Sequence, residues 1–124
     1  MEDLALDLPR VIPMEAALAP LIERYLDLLS TRQRLVASNI ANAATPGYKT
    51  RDIDFAAEFA SATAGSPQPF EVAGLKVRND GNNVSIDRES RLLSENALRF
   101  NVATQILKSQ AKDLKNAIEE GKSA

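Results

Sequence analysis

Between about Met14 and Ala43 the apolar residues fall on two seven-residue lines, Leu21, Leu28, Leu35 and Ile22, Leu29, Val36, with Leu18 and Tyr25 beside them. Spacing of this kind predicts a long amphipathic helix over residues 14–43. Pro20 falls near its start, where a missing donor is tolerated, so the regular helix is expected to begin close to Ala19 or Pro20 after one looser turn. At the far end Thr45 precedes Pro46 and is pushed toward extended geometry, and Gly47 suits the positive φ of a type II turn. The helix should stop just before them.

The second pattern is longer. Ile86, Leu93, Phe100, Leu107 and Leu114 recur every seven residues without a break, and Ala97, Thr104, Ala111 and Ile118 share their face. A helix over 87–120 follows, with Asp87 as N-cap, Glu89 in the first turn, Lys112 and Lys115 toward the other end and Gly121 as its stop. Residues 44–86 between the helices read as turn, linker and hairpin. "RDIDFAAEFA" holds a short helical turn, "GSPQP" at 65–69 is a linker, and "LKVRNDGNNVSID" alternates Leu75, Val77 and Val84, Ile86 around a turn, predicting a small hairpin at 75–86.

Rods of roughly 25 and 33 residues would be about 37 and 50 Å long. Paired antiparallel, each buries one stripe, and the remaining apolar positions call for other chains. Periodicity does not say which apolar residues face inward and which face a neighbour. With 124 residues there is material for one domain, and with aromatic residues at 5% and no Trp, little for a deep core. The 15 basic and 17 acidic residues are interspersed, so neither a nucleic-acid footprint nor a basic membrane face emerges. Residues 1–13, "MEDLALDLPRVIP", form an acidic, proline-bearing extended arm unlike a Sec signal peptide, and no apolar run approaches a membrane helix.

Chemistry narrows further. The chain has no His and no Cys, which removes the commonest general base, metal ligand and strong nucleophile. Asp52 with Asp54, and Glu119 with Glu120, are close carboxylate pairs that could suggest hydrolysis, but no phosphate loop or nucleophile elbow accompanies them. An enzyme, a cofactor and a metal are therefore not expected. "NVS" at 83–85 fits a glycosylation pattern and equally a plain turn.

Two asparagines stand out. Asn42 continues the line Leu21, Leu28, Leu35, and Asn39 continues Leu18, Tyr25, Arg32, so amides occupy positions where the apolar face should have gone on. An amide on a seam fixes register because it demands specific partners. Alternatively the helix emerges into water there and Asn42 helps to end it.

These residues lie within "RLVASNIANAATPGYKTRDIDF", Arg34 to Phe55, which resembles the signature of the flagellar axial proteins of rod, hook and hook-associated structures. "DGNNVSIDRE" at 80–89 and "SENALRFNVATQILKSQAKDLKNAIEEG" at 94–121, with a short middle, are most similar to the proximal rod group. Ala44, where a polar residue is common, Pro20 and the arm depart from the pattern. The resemblance implies a mainly α fold, with the two long terminal helices forming an elongated coiled-coil-like pair joined by a mixed loop segment. It implies a structural subunit of a hollow rod that transmits torque, exported by the flagellar type III apparatus to the periplasmic basal body. The implied partners are copies of itself, the next rod protein of the FlgC type, the adaptor FliE, and the MS ring and export gate. The expected subunit contacts are Asn39, Asn42, Thr45, Pro46, Gly47, Tyr48 and Phe55, together with Leu93, Asn96, Ala97, Phe100, Leu107, Leu114 and Ile118. The competing reading is a soluble coiled-coil adaptor or export chaperone of a secretion system.

Overall fold

The computed structural model describes residues 13–61 and 65–123. Helix α1 spans Pro13–Ala41, strand β1 Arg51–Asp52, helix α2 Phe55–Ala60, strand β2 Phe70–Glu71 and helix α3 Ile86–Ser123. The arm, up to residue 12, lies outside the described residues. The architecture is the expected one: two long helices packed on each other and a short mixed connection.

The boundaries differ where local chemistry outweighs pattern. Helix α1 starts at Pro13 rather than near Pro20. A proline in the first helical position loses no bond the helix would have made and has the right φ already, so Pro13 is the better start. Pro20 is then an interior residue, exposed, at the expense of one backbone bond. Helix α3 is capped by Ser85, not Asp87: the Ser85 hydroxyl accepts the Arg88 N–H at 3.2 Å, which places Asp87 inside the first turn. Gly121 does not stop α3, which continues to Ser123. The positive-φ glycines among the described residues are Gly47, Gly74 and Gly81, so Gly121 does not make the left-handed turn that ends many helices.

The predicted pairing across 75–86 is also replaced. Asp80 and Gly81 do form a turn, closed by Arg78 N–H to the Asn82 carbonyl at 2.9 Å, but no strands flank it. The two-stranded antiparallel sheet instead joins β1 to β2, Arg51 opposite Glu71 and Asp52 opposite Phe70. The alternation on the far side of the turn is taken up by burial of Val84 under the helices.

Helices α1 and α3 run antiparallel: Asn39 meets Glu89, Gln33 meets Asn96 and Tyr25 meets Arg99. The core between and beside them is Ile22, Leu28, Leu29 and Val36 of α1, Leu92 and Ala103 of α3, and Ile53 and Val84 from the connection. Helix α3 therefore turns the line Glu89, Leu92, Asn96, Ala103 toward α1. The seven-residue line at Leu93 and Phe100 lies one position round, on the flank, and both residues are exposed. Helix α2 is held by Tyr25, whose ring meets Phe55 and Phe59 edge-on with centroids 5.2 and 5.5 Å apart.

Leu28→Ala, at a fully enclosed position, is expected to lower stability by about 3 kcal/mol. Leu98→Ala, at an exposed position of α3, should change it by under about 0.5 kcal/mol. Urea titration followed by circular dichroism checks both.

Candidate assembly site: a clamped turn and an exposed helix stripe

The end of α1 is folded back on itself by side-chain amides. The Asn42 amide donates to the Ser38 carbonyl at 2.9 Å and accepts the Thr45 hydroxyl at 3.1 Å, which closes the helix locally. Thr45 to Tyr48 then form the expected turn, with Gly47 at φ 77° and the Tyr48 N–H on the Thr45 carbonyl at 3.2 Å. Of the two readings of Asn42, helix termination is the one its bonds describe.

Asn39 is the hub. Its amide nitrogen donates to the Arg51 carbonyl at 2.9 Å and to Glu89 Oε1 at 2.6 Å, and its oxygen accepts the Arg51 N–H at 3.1 Å and the Tyr48 hydroxyl at 2.9 Å. With 0% of its surface exposed, every bond the amide can make is made inside the chain. Asn39 thus turns inward, fastening the end of α1 to β1, to the turn and to the first turn of α3. Asn96, also buried, points the same way and donates to Gln33 Oε1 at 3.3 Å.

A second amide hub was not legible as one in the sequence. Asn82, fully buried, donates at 2.8 Å to both the Asn42 and Thr45 carbonyls and accepts from Arg78 and from the Val84 N–H. Arg78 also reaches the Ala43 and Val84 carbonyls, so a residue 35 positions away caps the C-terminal end of α1 with a positive charge, where the helix dipole favours one. Asn83 accepts the Thr50 N–H at 2.6 Å. The only cue was the density of Asn in "NDGNN", which reads as turn chemistry. Between the two loops Gly81, at φ 85°, sits so close that a Cβ there would lie 3.3 Å from the Gly47 Cα. The Gly47 N–H donates to the Asp80 carbonyl at 2.8 Å across the same contact.

Charges complete the clamp. Asp52, 3% exposed, takes Arg32 in a two-pronged bond at 3.0 and 2.9 Å, Arg88 at 2.7 Å and its neighbour Ile53 N–H at 2.8 Å. Arg88 in turn holds Glu89 at 2.7 Å. Burial is the largest influence on Asp52 and pushes its pKa up, but Arg32, the Ile53 N–H and Arg88 together outweigh it and hold the carboxyl below its ordinary value of 3.8. Burial likewise opposes the charge on Arg88, and Glu89 and Asp52 overcome it and raise its pKa. Asp54 does something else: it caps α2 by accepting the Ala57 N–H at 3.1 Å. Asp52 and Asp54 are thus spent on structure and do not converge on a substrate. Among the described residues no group of three acidic side chains is placed to hold a metal ion, and no helix is long and apolar enough to cross a membrane.

The clamp leaves Ala44, Thr45, Pro46 and Gly47 exposed at its tip, with Tyr48 half-buried beneath them. Phe55 is half-buried against Tyr25. Along α3, Leu93, Phe100, Leu114 and Ile118 are exposed and Leu107 half-buried, and Ala97 is exposed among them. Leu93, Ala97 and Phe100 form one wall of an open groove of about 430 Å³ whose other wall is Leu29, Gln33 and Arg34 of α1. The expected contact residues therefore split into three inward-facing groups, at Asn39, Asn96 and Phe55, and two exposed ones, the turn tip and the α3 stripe.

The clamp and the end of α1 coincide with a known family. A family described as "Flagella basal body rod protein" matches residues 26–49, from the last turns of α1 through the turn. The chain is 30% identical over 125 residues to the flagellar basal body rod protein FlgB of Escherichia coli (strain K12), covering 80% of this chain and 91% of that one. The same protein of Salmonella typhimurium (strain LT2) gives the same figures. That of Cereibacter sphaeroides is 37% identical over 110 residues, 74% of this chain and 86% of its own. The chain belongs to the FlgB family of flagellar basal body rod proteins. The rod-protein family segment at 26–49 contains Arg32, Asn39, Asn42 and Tyr48, so it carries half of the clamp, and the Asp52, Arg78–Asn83 and Arg88–Glu89 partners lie beyond it.

Two outcomes test the clamp. Gly81→Ala should cost about 1–3 kcal/mol, because it forces a side chain into a positive-φ site against backbone, and urea titration will show it. Because the folded pKa of Asp52 is lowered, its contribution to stability is fully present above about pH 4 and is lost as pH falls through the folded value. Asp52→Asn should therefore lose about 3 kcal/mol at neutral pH and show a flatter loss of stability with acid than the parent chain.

Proposed function

We propose that this chain is a structural subunit of the proximal rod of the flagellar basal body, polymerising through its terminal helices around a hollow axis. The alignment with FlgB rod proteins over nearly their whole length carries this reading. The geometry supports it: a single chain leaves Leu93, Phe100, Leu114 and Ile118 of α3 open, and stacking subunits would cover such a stripe. The contacts we assign to neighbouring subunits are the turn tip Thr45–Gly47 with Tyr48, and the line Leu93, Ala97, Phe100, Leu107, Leu114, Ile118. Asn39, Asn96 and Phe55 act on assembly indirectly, by holding the tip and the stripe in one rigid relation.

Placement at the proximal end makes copies of itself, a FlgC-type rod protein, the adaptor FliE, and the MS ring with its export gate the neighbours. Delivery to the periplasmic side by the flagellar type III apparatus belongs to the same reading. Torque passes through many modest contacts in such a polymer, so most single exposed changes should weaken assembly gradually.

Electron microscopy of basal bodies from a strain lacking the gene tests the placement. Loss of the whole rod is expected, and a rod that is merely truncated would refute the proximal position. In complemented strains Phe100→Asp should lower the number of rods per cell while leaving the helical content of the purified chain within about a tenth of the parent, because an exposed charge costs the monomer little.

A further inference from the structure

Helix α3 carries a second apolar row, apart from the stripe assigned above to neighbouring subunits. Leu98, Val102 and Ile106 follow one another in steps of four residues and are 66%, 50% and 43% exposed. At about 100° per residue this row lies about 180° round the helix from Leu93, Ala97 and Phe100. Leu92, Asn96 and Ala103, the residues turned toward α1, occupy the arc between the two rows. The outer face of α1 is different in kind, since Glu23, Asp27, Ser30 and Arg34 run along it, all exposed and polar. Charge also separates the two flanks of α3. Lys108 and Lys115 border the Leu93 flank, whereas Asp113 and Glu120 continue the Leu98 flank toward the end of the helix, all four exposed.

We propose that the row Leu98, Val102, Ile106 of one copy packs on the row Leu93, Ala97, Phe100 of a second copy, the two α3 helices running in the same direction and about five residues, roughly 7.5 Å, out of step. The spacing of bulk and charge identifies the occupant. Asp113 stands fifteen residues after Leu98 and Glu120 twenty-two, and Lys108 and Lys115 stand at the same two intervals after Leu93. A single shift of five therefore sets Leu98 on Leu93, Val102 on the small Ala97 and each carboxylate beside a lysine, and opposite charges in step fix register as well as partner. Val102 then stands over the wall of the open groove formed by Leu93, Ala97 and Phe100. Run in opposite directions with Val102 on Ala97, the helices would carry Asp113 to Ile86, the first residue of α3, away from both lysines.

Because the two rows lie on opposite sides of one helix, each copy takes a neighbour on either side, and the contact repeats without two-fold symmetry. This inference rests on the rod reading and deepens it, by naming the surface of one copy that meets the stripe of the next. The sequence has no cysteine, so introduced thiols report without background. Basal bodies are isolated from a strain whose only copy of the gene carries Leu93→Cys with Leu98→Cys, oxidised, and separated on a non-reducing gel. Two thiols on opposite sides of one helix are too far apart to close on each other, so every disulfide joins two copies.

A ladder of dimers and higher multimers is expected, at least tenfold stronger than from Leu93→Cys or Leu98→Cys alone. Leu98→Cys alone giving dimers as readily as the pair would reveal a two-fold contact and overturn the proposal. Ala97→Cys with Val102→Cys, the next contact at the same shift, is the second pair and should give the same ladder. Asp113→Lys with Glu120→Lys should weaken the ladder severalfold, and adding Lys108→Glu with Lys115→Glu should restore it, a rescue that a folding defect would not show. The unsubstituted chain is followed by immunoblot in the same preparations. Its presence there with no ladder from either pair overturns this inference and leaves the rod reading standing, whereas its absence from basal bodies overturns both.

Discussion

Everything at the working end of this molecule hangs on one buried amide. Asn39 bonds to the backbone of Arg51 on both sides, to the Tyr48 hydroxyl and to the Glu89 carboxylate. A buried polar group left short of a partner costs about 1–3 kcal/mol, so the arrangement holds only when the helix end, the turn, β1 and α3 are all in place together. Each partner is itself committed elsewhere: Glu89 to Arg88, and Arg88 to Asp52, which holds Arg32 back on α1. The circuit starts and ends on the same helix. It makes a junction of four chain segments rigid with very little apolar material, which suits a sequence with 5% aromatic residues and no Trp.

The second circuit, around Asn82, works on the helix terminus that the first leaves open. The carbonyls of Asn42, Ala43 and Thr45, just past the last helical residue, need donors, and here they come from Asn82 and Arg78, some 35–40 residues away. Gly47 and Gly81 allow the two loops to touch backbone to backbone, leaving the turn above them fixed yet uncovered. Rigidity and exposure thus coincide at Thr45–Gly47. A surface that must meet a neighbour gains from having its ordering entropy already spent.

How far the sequence discloses this depends on the range of the interaction. The two helices, the type II turn at 45–48 and the short helix at 55–60 were legible because spacing, Pro46 and Gly47 act locally. Asn39 was legible as an anomaly, an amide on an apolar line, but not as an inward hub, since Glu89 and Arg51 lie 50 and 12 residues away. Asn82 was hidden for the same reason: turn-forming Asn and hub-forming Asn look alike until the carbonyls of Asn42 and Thr45 arrive beside them. On α3 a repeat of seven found the right helix, yet the row facing α1 is the neighbouring one at Leu92, Asn96 and Ala103. A wide apolar arc admits two rows, and periodicity does not rank them.

Unequal helix lengths give the subunit a direction. One end is a knot of four segments sealed by amides and charges, and the other carries the C-terminal part of α3 with its lysines Lys108, Lys112 and Lys115. Ends so unlike favour head-to-tail contacts over two-fold ones, and a head-to-tail contact that does not close on itself generates an open helix of subunits. The same asymmetry is visible in the described helices themselves, α3 at 38 residues beside α1 at 29.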